Sequence, residues 1–266
     1  MRAGLEGETF HPVIGAKREA EILYLEQFAV PARCARGDAA PLTVWDVGLG
    51  AAGNAAHLIR CWERQPGRDL RLLSFDLHDR ALRFALRHRA GDAALFPWLN
   101  GFDWDTILRD QGLTVTRDGH RLTWEWHLRD FPELVAGGKL PAPELIFYDA
   151  YSPAKCPRMW SLSHWQNLRR RCAENCEIAF HSRSTALRVT LLLAGFAVGY
   201  GVGIGEKEET TVAATHPALL RRPLDNDWLR KVRRSAAARP FNGEDCTPGI
   251  INDADYAKLA AGPQFA

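Results

Sequence analysis

Between Leu42 and Asn54 an apolar run, Leu42-Thr-Val-Trp-Asp-Val47, passes directly into Gly48-Leu-Gly50-Ala-Ala-Gly53-Asn54. Glycines just after a buried strand allow a tight turn and let a ligand approach the backbone. The helix that follows opens on unpaired N–H groups. That helix is expected over Asn54–Arg64. The pattern then repeats: Leu70–Phe75 is apolar, and Asp79–Arg89 has helical spacing with Asp79 in the N-cap position. Strand, helix, strand, helix at this spacing means a parallel sheet covered by helices.

The flanking chain fits that plan. Ahead of it, Ile22, Leu23, Leu25 and Phe28 give Glu19–Phe28 the spacing of an amphipathic helix, and Arg36–Pro41 is a turn-rich break. Downstream, Leu113–Thr116 and Arg121–Trp126 flank Asp118-Gly119, a hairpin signal. Leu145–Tyr148 and Ile178–His181 read as short buried strands, and Leu162–Ala173 and Ser184–Ala194 as helices, the second closing at Gly195. Phe196–Val202 and Thr210–Ala214 are expected to form an antiparallel pair. From Pro217 onward one basic helix and a Gly/Pro-interrupted tail are expected. The fold class is therefore α/β and Rossmann-like, a mostly parallel sheet with a final antiparallel pair.

A chain of 266 residues has room for one large α/β domain or for a domain and an appendage. With 46% hydrophobic and 25% charged residues, disorder, collagen and coiled coil are excluded as descriptions of the whole chain. The longest apolar stretch, near Leu191–Val198, is far short of the ~18 residues that span a bilayer. The first residues lack the apolar core of a secretory signal, so none is expected. Six cysteines form no C-x-x-C pair, and no H-E-x-x-H occurs. We expect reduced thiols, no metal, no membrane and a cytoplasmic location. The net charge is +2, but Pro217–Pro240 holds seven basic residues against two acids, leaving the remainder at −3. Such a block suits an anionic partner such as RNA, and equally a solvated basic helix face.

Four segments carry candidate chemistry. Gly48-x-Gly50-x-x-Gly53 matches the dinucleotide fingerprint literally. Asp46, two residues before Gly48, instead suits S-adenosylmethionine, which has no phosphate. Asp76, at the end of the second strand, can accept both ribose hydroxyls of either cofactor. Asp130, after a later strand, can meet an adenine amino group or cap a helix. The most distinctive segment is Asp149-Ala-Tyr151-Ser-Pro153-Ala-Lys155-Cys-Pro157-Arg-Met-Trp160. There a buried strand delivers an acid to a loop stiffened by two prolines and studded with aromatics, which suits a flat, polar-edged substrate such as a nucleobase.

This last segment resembles a known family, the tRNA 5-methylaminomethyl-2-thiouridine methyltransferases, which comprise the methyltransferase half of bifunctional MnmC and the stand-alone MnmD proteins. Members carry a strand ending in an acid, then Gly-Phe-Ala/Ser-Pro-x-Lys-Asn-Pro-x-Met/Leu-Trp. Their N-terminal signature corresponds to Glu8-Thr9-Phe10-His11 and Gly15-Ala16-x-x-Glu19-Ala20, and their late one to Ala194-Gly195-Phe196 and Gly203-x-Gly205-x-Lys207-x-Glu209. The likeness runs from about Glu8 to Ala214. It departs at Ala52, where the family has a third glycine, at Glu21, where it has a basic residue, and at Glu206 and Glu208, where basic residues are usual.

The resemblance implies a class I S-adenosylmethionine-dependent methyltransferase occupying 41–216, with an N-terminal extension (1–40) and a basic C-terminal segment (217–266). It implies S-adenosylmethionine as cofactor and the amine of a 5-aminomethyl(-2-thio)uridine at a tRNA wobble position as acceptor. Asp149 is the expected catalytic residue. Glu19, Asp46, Gly48, Gly50, Asn54, Asp76 and Asp130 are expected to hold the cofactor, and Tyr151, Pro153, Lys155 and Trp160 to bind substrate. The flavin-dependent oxidase of the bifunctional proteins has no counterpart after Pro217, so a separate oxidase acting upstream is the implied partner. The alternatives are a methyltransferase acting on a small-molecule or protein amine, an NAD-dependent oxidoreductase, and a non-catalytic RNA-binding relative.

Overall fold

A computed structural model describes residues 16–89, 96–205, 207–243 and 245–265. The chain divides into two compact units. The first runs to Phe131 and includes Leu145–Tyr148; the second comprises Pro132–Glu144 and the chain from Asp149 onward.

In the first unit, β1 (Leu42–Val47), β2 (Leu70–Asp76), β3 (Gly112–Arg117), β4 (His120–Leu128) and β5 (Leu145–Tyr148) lie in the order β3-β4-β2-β1-β5. β1 is parallel to β2 and β5, and β2 to β4, while β3 is antiparallel to β4. Central strands covered on both faces read as unbroken apolar runs, and β1 and β5 are buried at every position. The β3–β4 hairpin turns on Asp118 and Gly119, with φ of 50° and 81°, as a two-residue turn with both central residues left-handed requires. Trp45, Phe75, Phe131 and Tyr148 form an aromatic cluster against these strands.

The helices of this unit are α1 (Ala16–Ala20), α2 (Val30–Cys34), α3 (Gly53–Arg64), α4 (Arg80–His88) and α5 (Trp104–Asp110). The segment expected as one helix over Glu19–Phe28 is instead a short α-turn running into a π-helix, Glu21–Glu26, which buries Leu23, Tyr24 and Leu25 together. Asp79 occupies the N-cap of α4 as expected, but its carboxylate pairs with Arg83 at 2.8 Å and accepts no capping bond.

In the second unit, β6 (Glu177–Phe180), β7 (Ala197–Gly201) and β8 (Thr210–Ala214) lie in the order β6-β8-β7, all antiparallel. The antiparallel β7–β8 pair is as the sequence predicts. The helices here are α6 (Phe131–Gly137), α7 (Leu162–Arg169), α8 (Thr185–Leu193), α9 (Asn226–Val232) and α10 (Asp253–Ala260). The C-terminal tail is more ordered than its composition suggests. Asn252 caps α10 through the Asp255 N–H, and the Gln264 amide bonds the backbone of Val198 and Leu224 at 2.7–2.8 Å. Among the described residues no helix is long and apolar enough to cross a membrane.

Candidate active site

The cofactor candidates of the first unit gather at the carboxyl end of β1. Gly48 and Gly50 turn the chain with φ of 103° and 50°. Ala52, where the resembled family has glycine, is also left-handed, with φ 56°, and is fully buried. An L-residue there costs roughly 1–2 kcal/mol, so the backbone keeps the glycine geometry without the glycine. Trp98, which no sequence motif marks, braces the turn by donating its indole N–H to the Ala51 carbonyl at 2.9 Å.

Asp76 ends β2 beside this turn. Its carboxylate accepts the N–H groups of Gly50 at 3.2 Å and Leu77 at 2.7 Å. Burial pushes its carboxyl above the usual range, while these backbone bonds pull it back. Asp46 lies deeper and is fully buried. It accepts the Ser74 hydroxyl at 2.8 Å, and Ser74 in turn accepts the Trp124 indole N–H at 2.9 Å. Asp46 is thus a member of a buried chain across β1, β2 and β4. Asn54 is the second residue of α3 and is half-buried; Glu19 is buried in α1; Asp130 is half-buried immediately before α6.

The residues present fit S-adenosylmethionine. A Cβ placed on Gly50 would meet only the Gly48 carbonyl, at 3.8 Å, so there is open space over the turn. The Gly50 N–H is engaged by the Asp76 carboxylate, a group placed to accept ribose hydroxyls.

The acceptor candidates belong to the second unit. Asp149 follows the last residue of β5 and is exposed. Its Oδ1 lies 3.5 Å from Nε2 of His181, the residue after β6, and His181 holds Lys207 through its backbone carbonyl at 2.8 Å. His181 was not among the sequence candidates. Its only sequence signal is its place as the last residue of the apolar run Ile178–His181. Glu209 pairs at 2.8 Å with Arg188, a buried guanidinium in α8 that also bonds Thr211 and Thr210 and covers the Tyr200 ring. Lys207 and Glu209 therefore brace the segments around His181.

The loop after Asp149 is locked from within. The Ser152 carbonyl accepts the N–H groups of Lys155 and Cys156, and the Trp160 indole donates to the Tyr151 carbonyl at 2.7 Å. Trp160 is buried, so it shapes the loop from beneath; Tyr151 and Lys155 are exposed and Pro153 is half-buried. Below, His164 is buried beside Trp165, and burial lowers its imidazole to about 3. Glu8–His11, Gly15 and Glu206 lie outside the described residues. All six cysteines are free, and among the described residues no cluster of His, Cys, Asp or Glu could hold a metal.

Residues 110–216 match the model of a family described as S-adenosyl-L-methionine-dependent methyltransferase. The matched region contains Asp130, Asp149–Trp160 and Lys207, and excludes the glycine turn. Among curated relatives, the chain is 27% identical over 84% of its length to the tRNA 5-methylaminomethyl-2-thiouridine biosynthesis bifunctional protein MnmC of Methylibium petroleiphilum, covering 34% of that protein. It is 28% identical over 76% of its length to the same-named protein of Burkholderia vietnamiensis, covering 31% of it. The chain thus spans about a third of the length of these relatives. The solved structure of MNMC2 from Aquifex aeolicus matches with a TM-score of 0.64 at 22% identity, covering 96% of this chain and 78% of that one. The matched segment is thus that of an S-adenosyl-L-methionine-dependent methyltransferase family. Within that class, the chain is related to the MnmC proteins.

Proposed function

We propose that this chain methylates the primary amine of a 5-aminomethyl(-2-thio)uridine at a tRNA wobble position, in the cytoplasm, downstream of a flavin-dependent oxidase. The observation that carries the reading is the Asp149–His181 pair, 3.5 Å apart, at the head of a rigid aromatic loop. When bound, S-adenosylmethionine supplies a methyl on a sulfonium, and the bonding pair leaves with sulfur. Only a neutral amine has the lone pair to form the new N–C bond, so positioning and proton removal fall to the chain. Asp149 orients the amine through its carboxylate. The extra proton on the methylated nitrogen passes to the Asp149–His181 pair. Gly48, Gly50 and Asn54 line the methionine side of the cofactor, Asp76 holds the ribose, Asp130 the adenine, and Glu19 reaches the cofactor's amino group. Asp46 fixes the strand ends beneath them. Tyr151, Pro153, Lys155 and Trp160 shape the acceptor site.

A second reading, a small-molecule amine as acceptor, is favoured by one observation. Much of the basic block is internally engaged. Arg230 pairs with Asp227, Arg233 with Asp253 and Arg239 with Asp245, and Arg222 stacks over Tyr200. Arg221, Lys231 and Arg234 carry no ion pair among the described residues. Filter binding of tRNA across a salt series separates the readings. With tRNA as acceptor, reversing Lys231 and Arg234 to glutamate flattens the log–log salt slope by about 1–2 units. A wild type with no salt-dependent tRNA affinity, and no methyl transfer to tRNA bearing the aminomethyl base, overturns the tRNA reading.

A further inference from the structure

The second unit contains a cavity of about 300 Å³ whose lining includes Pro153 of the proposed acceptor site. One wall is the loop Ser152–Ala154, which starts three residues after Asp149. Ser184, three residues after His181, adds to the lining. The cavity therefore sits on the two loops that carry the Asp149–His181 pair.

The opposite wall comes from the C-terminal segment, through Ala237, Phe241, Cys246 and Pro248. This wall is firmly held. The Phe241 N–H donates to the buried Thr190 hydroxyl at 2.9 Å, and its carbonyl accepts the Leu162 N–H at 2.9 Å. The loop bearing Phe241 and Cys246 is closed at its base by the Arg239 N–H on the Gly249 carbonyl, at 2.7 Å. The Arg239–Asp245 ion pair braces it again. The segment lies beyond residues 110–216, so the family match assigns it nothing.

The lining chemistry limits the occupant. Among the described residues no charged side chain lines the cavity, so a phosphate finds no cation among them. Serine hydroxyls and a thiol offer a few hydrogen-bonding groups among apolar surface, the mixture that orients small ligands. The volume lies at the small end of the roughly 300–1,000 Å³ typical of ligand sites. A single flat ring with polar edges suits it; a whole nucleotide does not.

We propose that this cavity seats the nucleobase of the methyl acceptor, and that the Arg239–Gly249 loop, through Phe241, determines acceptor specificity. The proposal rests on the reading of the acceptor as a modified uridine. Phe241 offers the packing face, and the serine hydroxyls meet the edge of the ring.

Two variants and one protection assay test it. Phe241→Ala removes the packing face. Ala237→Trp obstructs the cavity from an exposed position and guards against a folding defect in the first variant. Both should raise the acceptor KM about 10-fold or more, because base–aromatic contacts are worth roughly that much. Calorimetry should find S-adenosylmethionine affinity unchanged within about twofold. In the wild type, free 5-aminomethyluridine should slow alkylation of Cys246 by iodoacetamide, read by peptide mass. The assay is run at alkaline pH because burial and Asp245 raise that thiol. Wild-type KM in Ala237→Trp, with Cys246 unprotected, overturns the proposal. If the wild type transfers no methyl to tRNA, the uridine reading falls, and protection of Cys246 decides the cavity by itself.

Discussion

The glycine turn of the first unit and the Asp149 loop of the second both place carboxylates after buried strands, yet they are built differently. Asp46 is sealed, with Ser74 and Trp124 handing hydrogen bonds along beneath the turn. Asp149 is exposed and lies 3.5 Å from His181. A buried polar chain fixes geometry and makes stability depend on every member. An exposed pair contributes little to stability and keeps its groups available for chemistry. Damage in the first region should therefore appear in folding, and damage at Asp149 in rate.

The largest break in that contrast comes from Asp149→Ala. Removing a group that orients the amine and takes its proton should slow transfer by about 10²–10⁴-fold. S-adenosylmethionine affinity should stay within a few-fold and the melting temperature nearly constant. Single-turnover transfer at the wild-type rate would make Asp149 a structural cap.

Ser74→Ala should show the opposite signature. It leaves the Trp124 N–H without its acceptor and takes a bond from Asp46, at a cost of about 2–4 kcal/mol in urea unfolding. An unfolding midpoint equal to wild type would show that the chain holds nothing in place.

Asp76 lies between the two kinds. Asp76→Ala should weaken S-adenosylmethionine about 10- to 100-fold by calorimetry, since a carboxylate on ligand hydroxyls is worth ~1–3 kcal/mol. Unchanged affinity would remove Asp76 from the ribose.

The smallest effect sharpens the comparison within the first region. Ala52 and Ala56 are both fully buried, but Ala52 is left-handed and Ala56 sits inside α3. Replacement by glycine should cost ~1–2 kcal/mol less at Ala52 than at Ala56, because glycine relieves the left-handed strain. Equal losses by thermal unfolding would mean that Ala52 bears no such strain.

Most of the elements, and the acids at their ends, are legible in local sequence, although the π-helix at Glu21–Glu26 is not. The run Leu42–Val47 reads as a buried strand, Gly48 and Gly50 as a turn, and Asp118-Gly119 as a hairpin, because backbone conformation and apolar period are local properties. Asp76 and Asp149 were legible for the same reason: an acid just past an apolar run must lie at the end of a strand. Only the tertiary structure supplied the partners. Ser74 and Trp124 are 50 residues apart and His181 is 32 residues from Asp149. Pairings at such separations depend on strand order and register, which no local pattern encodes. The Gly/Pro-interrupted tail carried no period to reveal that Phe241 would be pinned at both its N–H and its carbonyl. Charge counting likewise could not separate Lys231 from Arg233, since whether a cation is neutralised depends on the chain that folds beside it.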